Sequence, residues 1–216
     1  MNRTKLVCGA WAALAFGLLL GCSADGPSVT KKADCCQPAD PSATVAASAP
    51  LSDRSLYQLE SVWTNDLAKP FHLTELRGRP QIVVMFFASC QYACPALVHD
   101  LKRIQAALPE QARVQAGFVL VSFDSERDTP PALAAYRERQ QLPTGGWTLL
   151  HGRPDDVLEL AALLGVKYKQ DARGQFSHSN IITVLNAEGE VVHQQIGLNQ
   201  NIDETVATVQ RLVRGS

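Results

Sequence analysis

The chain has 216 residues, with 20 lysines and arginines against 21 aspartates and glutamates and a formal net charge of −1. That length supports one sizeable domain with extensions. The balanced charge, with no basic stripe and no aromatic-rich basic patch, argues against nucleic acid as a partner.

At the N-terminus, Arg3 and Lys5 precede an almost wholly apolar run, Leu6 to Leu20, that ends in Leu19-Leu20-Gly21-Cys22. A charged start, an apolar run of about 15 residues and small residues at its end predict a secretory signal, too short to span a bilayer comfortably. The ending resembles the lipobox of bacterial lipoproteins, which implies removal of residues 1–21 and a lipid on Cys22. An uncleaved anchor is the alternative. In both cases the remainder faces an oxidising compartment of the cell envelope, outside the cytosol. Residues 22–50 are rich in Ala, Ser, Pro and Asp and nearly lack large apolar side chains. Such a segment cannot bury enough surface to offset the entropy of ordering, so it reads as a flexible tether.

The folded domain is expected over residues 51–216. Tyr57 to Trp63 alternates as a strand does, and Pro70 to Leu73 is placed to pair with it in a hairpin. Ile82 to Phe87 is a short continuous apolar run, the pattern of a strand buried on both faces. Helical periodicity follows from Ala93 to Leu108, with Leu97, Leu101, Ile104 and Leu108 on one face. Val114 to Phe123 reads as a second buried strand. Asp128-Thr129-Pro130-Pro131 opens a helix to about Gln140, since Asp or Thr caps and proline fits the first turn. Trp147 to Leu150 reads as a strand and Pro154 to Leu164 as a helix. Ile181 to Leu185 and Val191 to Ile196 form a hairpin across Asn186-Ala187-Glu188-Gly189, and Asp203 to Val213 is the last helix. This order predicts an α/β sandwich with a mixed sheet flanked by helices.

Within it, Cys90 and Cys94 sit where the first buried strand gives way to a helix, the end of an α/β sheet that tends to hold ligands. Residues four apart on a helix overlap within about 40°, so both sulfurs can face one side of the first turn. Pro95 is tolerated there and discourages the helix from extending backwards, which places Cys90 on a loop. Free N–H groups and the helix dipole at that turn favour thiolates, the species that redox exchange and metal binding both use. Three readings follow. A structural disulfide would close a tiny loop and restrict the unfolded chain little. A dithiol oxidoreductase normally has two residues between its cysteines, where this chain has three. Copper suits soft thiolates, and an added imidazole extends the set toward Cu(II). A thiol peroxidase is disfavoured, because no Pro-x-x-x-Thr-x-x-Cys arrangement surrounds either cysteine.

Among the five histidines, His99 lies about 140° round the helix from Cys94. His72 and His151 lack a metal-like neighbour, and His193 alternates within a strand as a surface or sheet residue. His178 differs. It lies in the polar stretch Gly174 to Asn180, just before an apolar strand, where a loop could fold over the start of the first helix. It is the candidate imidazole ligand; otherwise it is an ordinary loop histidine.

Three stretches together resemble the Sco/SenC family of copper proteins. They are Phe87-Ala88-Ser89-Cys90-Gln91-Tyr92-Ala93-Cys94-Pro95, matching C-x-x-x-C-P; Val121 to Pro130, similar to V-S-x-D-P-x-R-D-T-P; and the distal His178-Ser179. The resemblance implies a thioredoxin-like fold and one copper ion, Cu(I) or Cu(II), held by Cys90, Cys94 and His178. It also implies a role in assembling the copper centre of cytochrome c oxidase, with an oxidase subunit or another copper protein as partner. Some family members instead reduce disulfides, so a metal-free thiol–disulfide reductase using Cys90 and Cys94 stands as the alternative. Asp124 and Asp128 match the family's acidic segment near the site; for Asp128 a capping or turn role is the plainer expectation. Two positions depart from the pattern: Ser125 stands where proline is usual, and Ser177 where an aspartate is usual, which removes a negative charge beside His178. Cys35 and Cys36, adjacent on the tether, have no counterpart in the family's pattern. They read either as a relay that captures copper for the domain or as exposed thiols that form a strained or intermolecular disulfide.

Overall fold

A computed structural model describes residues 50–172 and 174–215. The signal, Cys22, nearly all of the tether and the Cys35-Cys36 pair lie outside the described residues.

The seven-stranded sheet begins with a hairpin of β1 (Val62–Asn65) and β2 (Pro70–His72). Its centre is three fully buried strands: β3 (Gln81–Phe86), β4 (Gly117–Ser122) and, antiparallel to β3, β8 (Ile181–Leu185). With β5 (Trp147–His151) and β9 (Val191–Ile196) the spatial order is β2-β1-β5-β4-β3-β8-β9. Strands β3, β4 and β5 run parallel, and the other pairings are antiparallel. The predicted mixed sheet is therefore present.

Helices connect the strands. α1 (Ala93–Ala107) buries Leu97, Leu101 and Ile104 of the expected stripe, together with Val98, and Leu108 is buried just past its end. A short α2 (Glu110–Gln115) precedes β4. α3 (Pro130–Arg139) and α4 (Pro154–Leu163) both begin at proline, where the missing N–H costs nothing. α5 (Asp203–Arg214) closes the domain, with Asp203 and Glu204 in its first turn and Arg211 and Arg214 in its last, each matched to the dipole. No helix among the described residues is long and apolar enough to cross a membrane.

Two expected strands are shorter than their apolar patterns suggest. Tyr57 lies in a single 3₁₀ turn, Leu56–Gln58, because the Ser55 hydroxyl accepts the Tyr57 N–H and curls the chain before β1 begins. The Tyr57 ring then covers Gly189 in the β8–β9 turn. Gly189 has φ +83°, and a Cβ there would lie 2.7 Å from that ring, so the turn requires glycine twice over. Val114 belongs to α2 and is 72% exposed, so β4 starts only at Gly117, opposite Gln81 of β3.

Besides α2, a further feature was not expected. β6 (Tyr168–Gln170) and β7 (Phe176–His178) form a separate two-stranded ribbon, pairing Tyr168 with His178. The middle of the Gly174–Asn180 stretch read as a polar loop is a strand, and His178 is its last residue.

A candidate Cys-Cys-His centre

The parallel register of β3 and β4 carries Phe86 opposite Ser122 and delivers Phe87 and Phe123 side by side at the strand ends, with ring centroids 5.4 Å apart. Beyond Phe87 the chain turns through Ser89 to Tyr92 and enters α1 at Ala93. Cys94 is thus the second residue of the helix and is fully buried, while Cys90 is half-buried on the preceding loop. The Cys94 N–H, one of the unpaired donors of the first turn, points at Cys90 Sγ from 3.3 Å. Both cysteines are free thiols.

The β6–β7 ribbon brings the third group. Alternation along β7 puts Phe176 and His178 on one face. Phe176 packs on Phe87 and Phe123 at 5.3 and 5.1 Å, and His178 packs on the same two rings at 6.0 and 5.0 Å. Tyr168 stacks on Phe123 from the other ribbon strand at 5.1 Å. His178 Nε2 lies 3.8 Å from Cys94 Sγ, and the ligand atoms of Cys90, Cys94 and His178 all fall within 4.8 Å of one another. Opposite the imidazole's approach, Nδ1 is 3.0 Å from the Ser179 carbonyl. A carbonyl only accepts, so Nδ1 carries the proton and Nε2 presents its lone pair to the sulfurs. A cleft of about 500 Å³ opens on Cys90 between Tyr92 and Gln175–His178.

Burial pushes the Cys94 thiol up, opposed by a hydrogen bond with the Phe87 backbone. The helix start was expected to lower this pKa; burial instead raises it in the free dithiol. Burial pushes the His178 pKa down, opposed by the Ser179 carbonyl, so the neutral ring is favoured.

The two acids of the Val121–Pro130 segment have separate tasks. Asp128 is not a helix cap. Its Oδ2 accepts the Ala88 N–H at 2.7 Å and the Ser122 hydroxyl at 2.6 Å, tying the root of the cysteine loop to β4. Burial raises its pKa, and those two hydrogen bonds oppose the rise. Asp124 is ion-paired with Arg127. Ser177, on the opposite face of β7 from His178, donates to the Lys169 carbonyl at 3.4 Å.

The other histidines stand apart from this group. His99 is exposed on α1. His72 ends β2. The His151 ring approaches the Asp128 carbonyl at 3.1 Å. His193 lies in the sheet, as expected, and meets the Thr205 hydroxyl at 3.0 Å. Sequence reasoning missed the aromatic wall of Phe87, Phe123, Tyr168 and Phe176, and missed Arg127. Only the presence of Phe87, Phe123 and Arg127 within the two motif stretches signalled part of it.

A mixed sheet with two thiols and an imidazole gathered at the ends of its parallel strands defines a thioredoxin-like metal-binding class of domain. The SCO1/SenC family model matches residues 55–214, and this chain belongs to that family. A relative from Stutzerimonas stutzeri, named "Putative copper-binding protein", is 29% identical over 143 residues, covering 64% of this chain and 68% of its own length. Two solved structures share the fold. A SCO1/SenC family lipoprotein from Bacillus anthracis is 23% identical with a TM-score of 0.64, over 70% of this chain and 91% of that one. Arabidopsis thaliana ScoI with copper bound is 22% identical with a TM-score of 0.63, over 72% and 97%.

Proposed function

We propose that this protein is a copper carrier of the cell envelope, with Cys90 and Cys94 as thiolate ligands and His178 as a neutral imidazole ligand. The mutual approach of the three ligand atoms to within 4.8 Å carries the reading. Nitrogen and sulfur donors about 2.0–2.3 Å from one ion, spread evenly around it, sit about 3.7–4.0 Å apart, so closure by up to about an ångström completes the set. Two soft sulfurs suit Cu(I), and the imidazole extends the set to Cu(II). The buried thiol must lose its proton as the metal enters, so loading is coupled to proton release. Copper-bound relatives of the same fold support the choice of metal. The lipid on Cys22 would hold the carrier at a membrane, facing outward, and the acceptor would be an oxidase subunit or another copper protein. A Cys90–Cys94 disulfide has no thiolate to offer, so oxidation and loading exclude each other. Titrating the reduced protein with copper tests this: one equivalent is expected, and none after oxidation to the disulfide. Equal loading of both forms would refute the reading.

A second reading, thiol–disulfide reductase, is favoured by one observation: Cys90 faces the cleft while Cys94 lies buried behind it with its N–H on Cys90 Sγ. In that chemistry the Cys90 thiolate attacks a partner disulfide and releases one partner thiolate. Cys94, after losing its proton, then attacks Cys90 Sγ and releases the second, leaving the partner reduced and Cys90–Cys94 oxidised. Turnover of a disulfide substrate by His178→Ala protein at the wild-type rate would support it over the carrier.

A further inference from the structure

We infer that Arg127 is the positioning residue that sets His178 over the two sulfurs, by clamping the β6–β7 ribbon to the segment that also anchors the cysteine loop. This deepens the carrier reading and rests on it.

The ribbon pairs with no strand of the main sheet, so no ladder of backbone hydrogen bonds fixes its height above the cysteines. Its stacked and edge-on aromatic contacts have only modest geometric preferences and make no hydrogen bond across the gap. Arg127 supplies direction. Its Nε pairs with the Asp124 carboxylate, which is 2% exposed and also accepts the Arg127 backbone N–H at 3.3 Å. Its Nη2 donates to the Gly174 carbonyl in the ribbon turn at 2.6 Å. Its guanidinium lies over the Phe176 ring, 5.7 Å from the centroid. Phe176 shares a strand face with His178, so the cation touches the ribbon at its turn and directly beside the imidazole.

The same short segment holds the other half of the site. Asp128, the next residue, binds the Ala88 N–H two residues before Cys90. Asp124 and Asp128 are themselves locked together by the Asp128 N–H on the Asp124 carbonyl at 3.0 Å. Cysteine loop and histidine ribbon are therefore both referenced to one buried turn. A planar, forked cation is required, because one group must serve a carboxylate, a carbonyl and a ring face together. Gly174, with φ +73°, leaves room: a Cβ there would come 3.3 Å from Arg127 Nη1.

Arg127→Gln and Arg127→Lys, with Glu126→Gln as an exposed control, test this in the full chain. In metal-free Arg127→Gln, the amides of Asp171 and Ser179, which close the ribbon onto the Gln175 and Lys167 carbonyls, should exchange with solvent faster than in the control. Cu(II) affinity should fall about 10- to 100-fold, the usual cost of losing an outer support. Cu(I) affinity, carried by two thiolates, should match the control. Arg127→Lys should fall between, since an ammonium keeps the charge but not the fork. Wild-type exchange rates in Arg127→Gln would overturn the proposal. So would a lowered melting temperature with Cu(II) affinity intact, which is what a purely structural role gives. If the wild type bound no copper, the carrier reading would fail, while the exchange measurement would still decide the clamp.

Discussion

Cys94 Sγ and His178 Nε2 lie 3.8 Å apart, although 84 positions separate the two residues in the chain. The sulfur is fixed by a buried helix start, and the nitrogen by a ribbon outside the main sheet. The two contributions should therefore be separable by mutation. In His178→Ala the thiolates remain, and Cu(I) binding should survive. Cu(II) binding should weaken by more than the roughly 100-fold that loss of an outer support costs. Competition titrations in each oxidation state measure both; equal losses would remove His178 from the ligand set.

The two thiols differ in access. Cys90 opens on the cleft and Cys94 is fully buried. Brief treatment of the metal-free dithiol with iodoacetamide at neutral pH should label Cys90 first, because access and thiolate fraction both limit the rate. Mass spectrometry of the peptide spanning both residues reads the order. One equivalent of copper should suppress labelling of both.

Asp128→Ala leaves the Ala88 N–H and the Ser122 hydroxyl without their acceptor. Each orphaned buried donor costs about 1–3 kcal/mol, offset in part by removal of a buried carboxyl, so a net loss of roughly 1–3 kcal/mol is expected. Asp128→Asn keeps an acceptor oxygen and should lose less. Denaturant melts of the two variants at constant pH check the order.

Tyr136 is 1% exposed and its hydroxyl has no hydrogen-bond partner among the described residues. Tyr136→Phe should therefore be neutral or stabilising at pH 7, since no bond is broken. Burial also raises the phenol's pKa from its ordinary 10.0. The folded state then keeps a proton that the unfolded chain releases, and this contribution to stability is present below pH 10 and lost as pH rises through the raised value. The variant's stability should decline less steeply than the wild type's above pH 10. Tyr57, similarly raised by burial, still contributes a slope in both proteins.

Much of the domain was legible because its elements carry strong periodicities. The runs at Ile82 and Ile181 and the stripe through Leu97, Leu101 and Ile104 announce buried strands and a helix, and proline marks the starts of α3 and α4. The cysteine pair and the distal histidine were legible as a resemblance carried by three separate motifs. The β6–β7 ribbon was not. Its strands are three residues each, and neither is buried through, so any alternation is too short to betray them. Contacts to Phe87 and Phe123 and the Arg127 clamp make them strands, and such tertiary causes leave no local signature. The same holds for Asp128. Beside Thr129-Pro130 it reads as a cap, and its true partner, Ala88, lies 40 positions away.

The free-standing ribbon has a thermodynamic consequence. Lifting the imidazole away exposes a few aromatic rings and breaks one guanidinium link, while the seven-stranded sheet keeps all of its own pairings. Occupancy of the third coordination position is thus uncoupled from global unfolding. On the proposed carrier reading, copper is gripped or surrendered by a local opening whose free energy lies well below that of the fold.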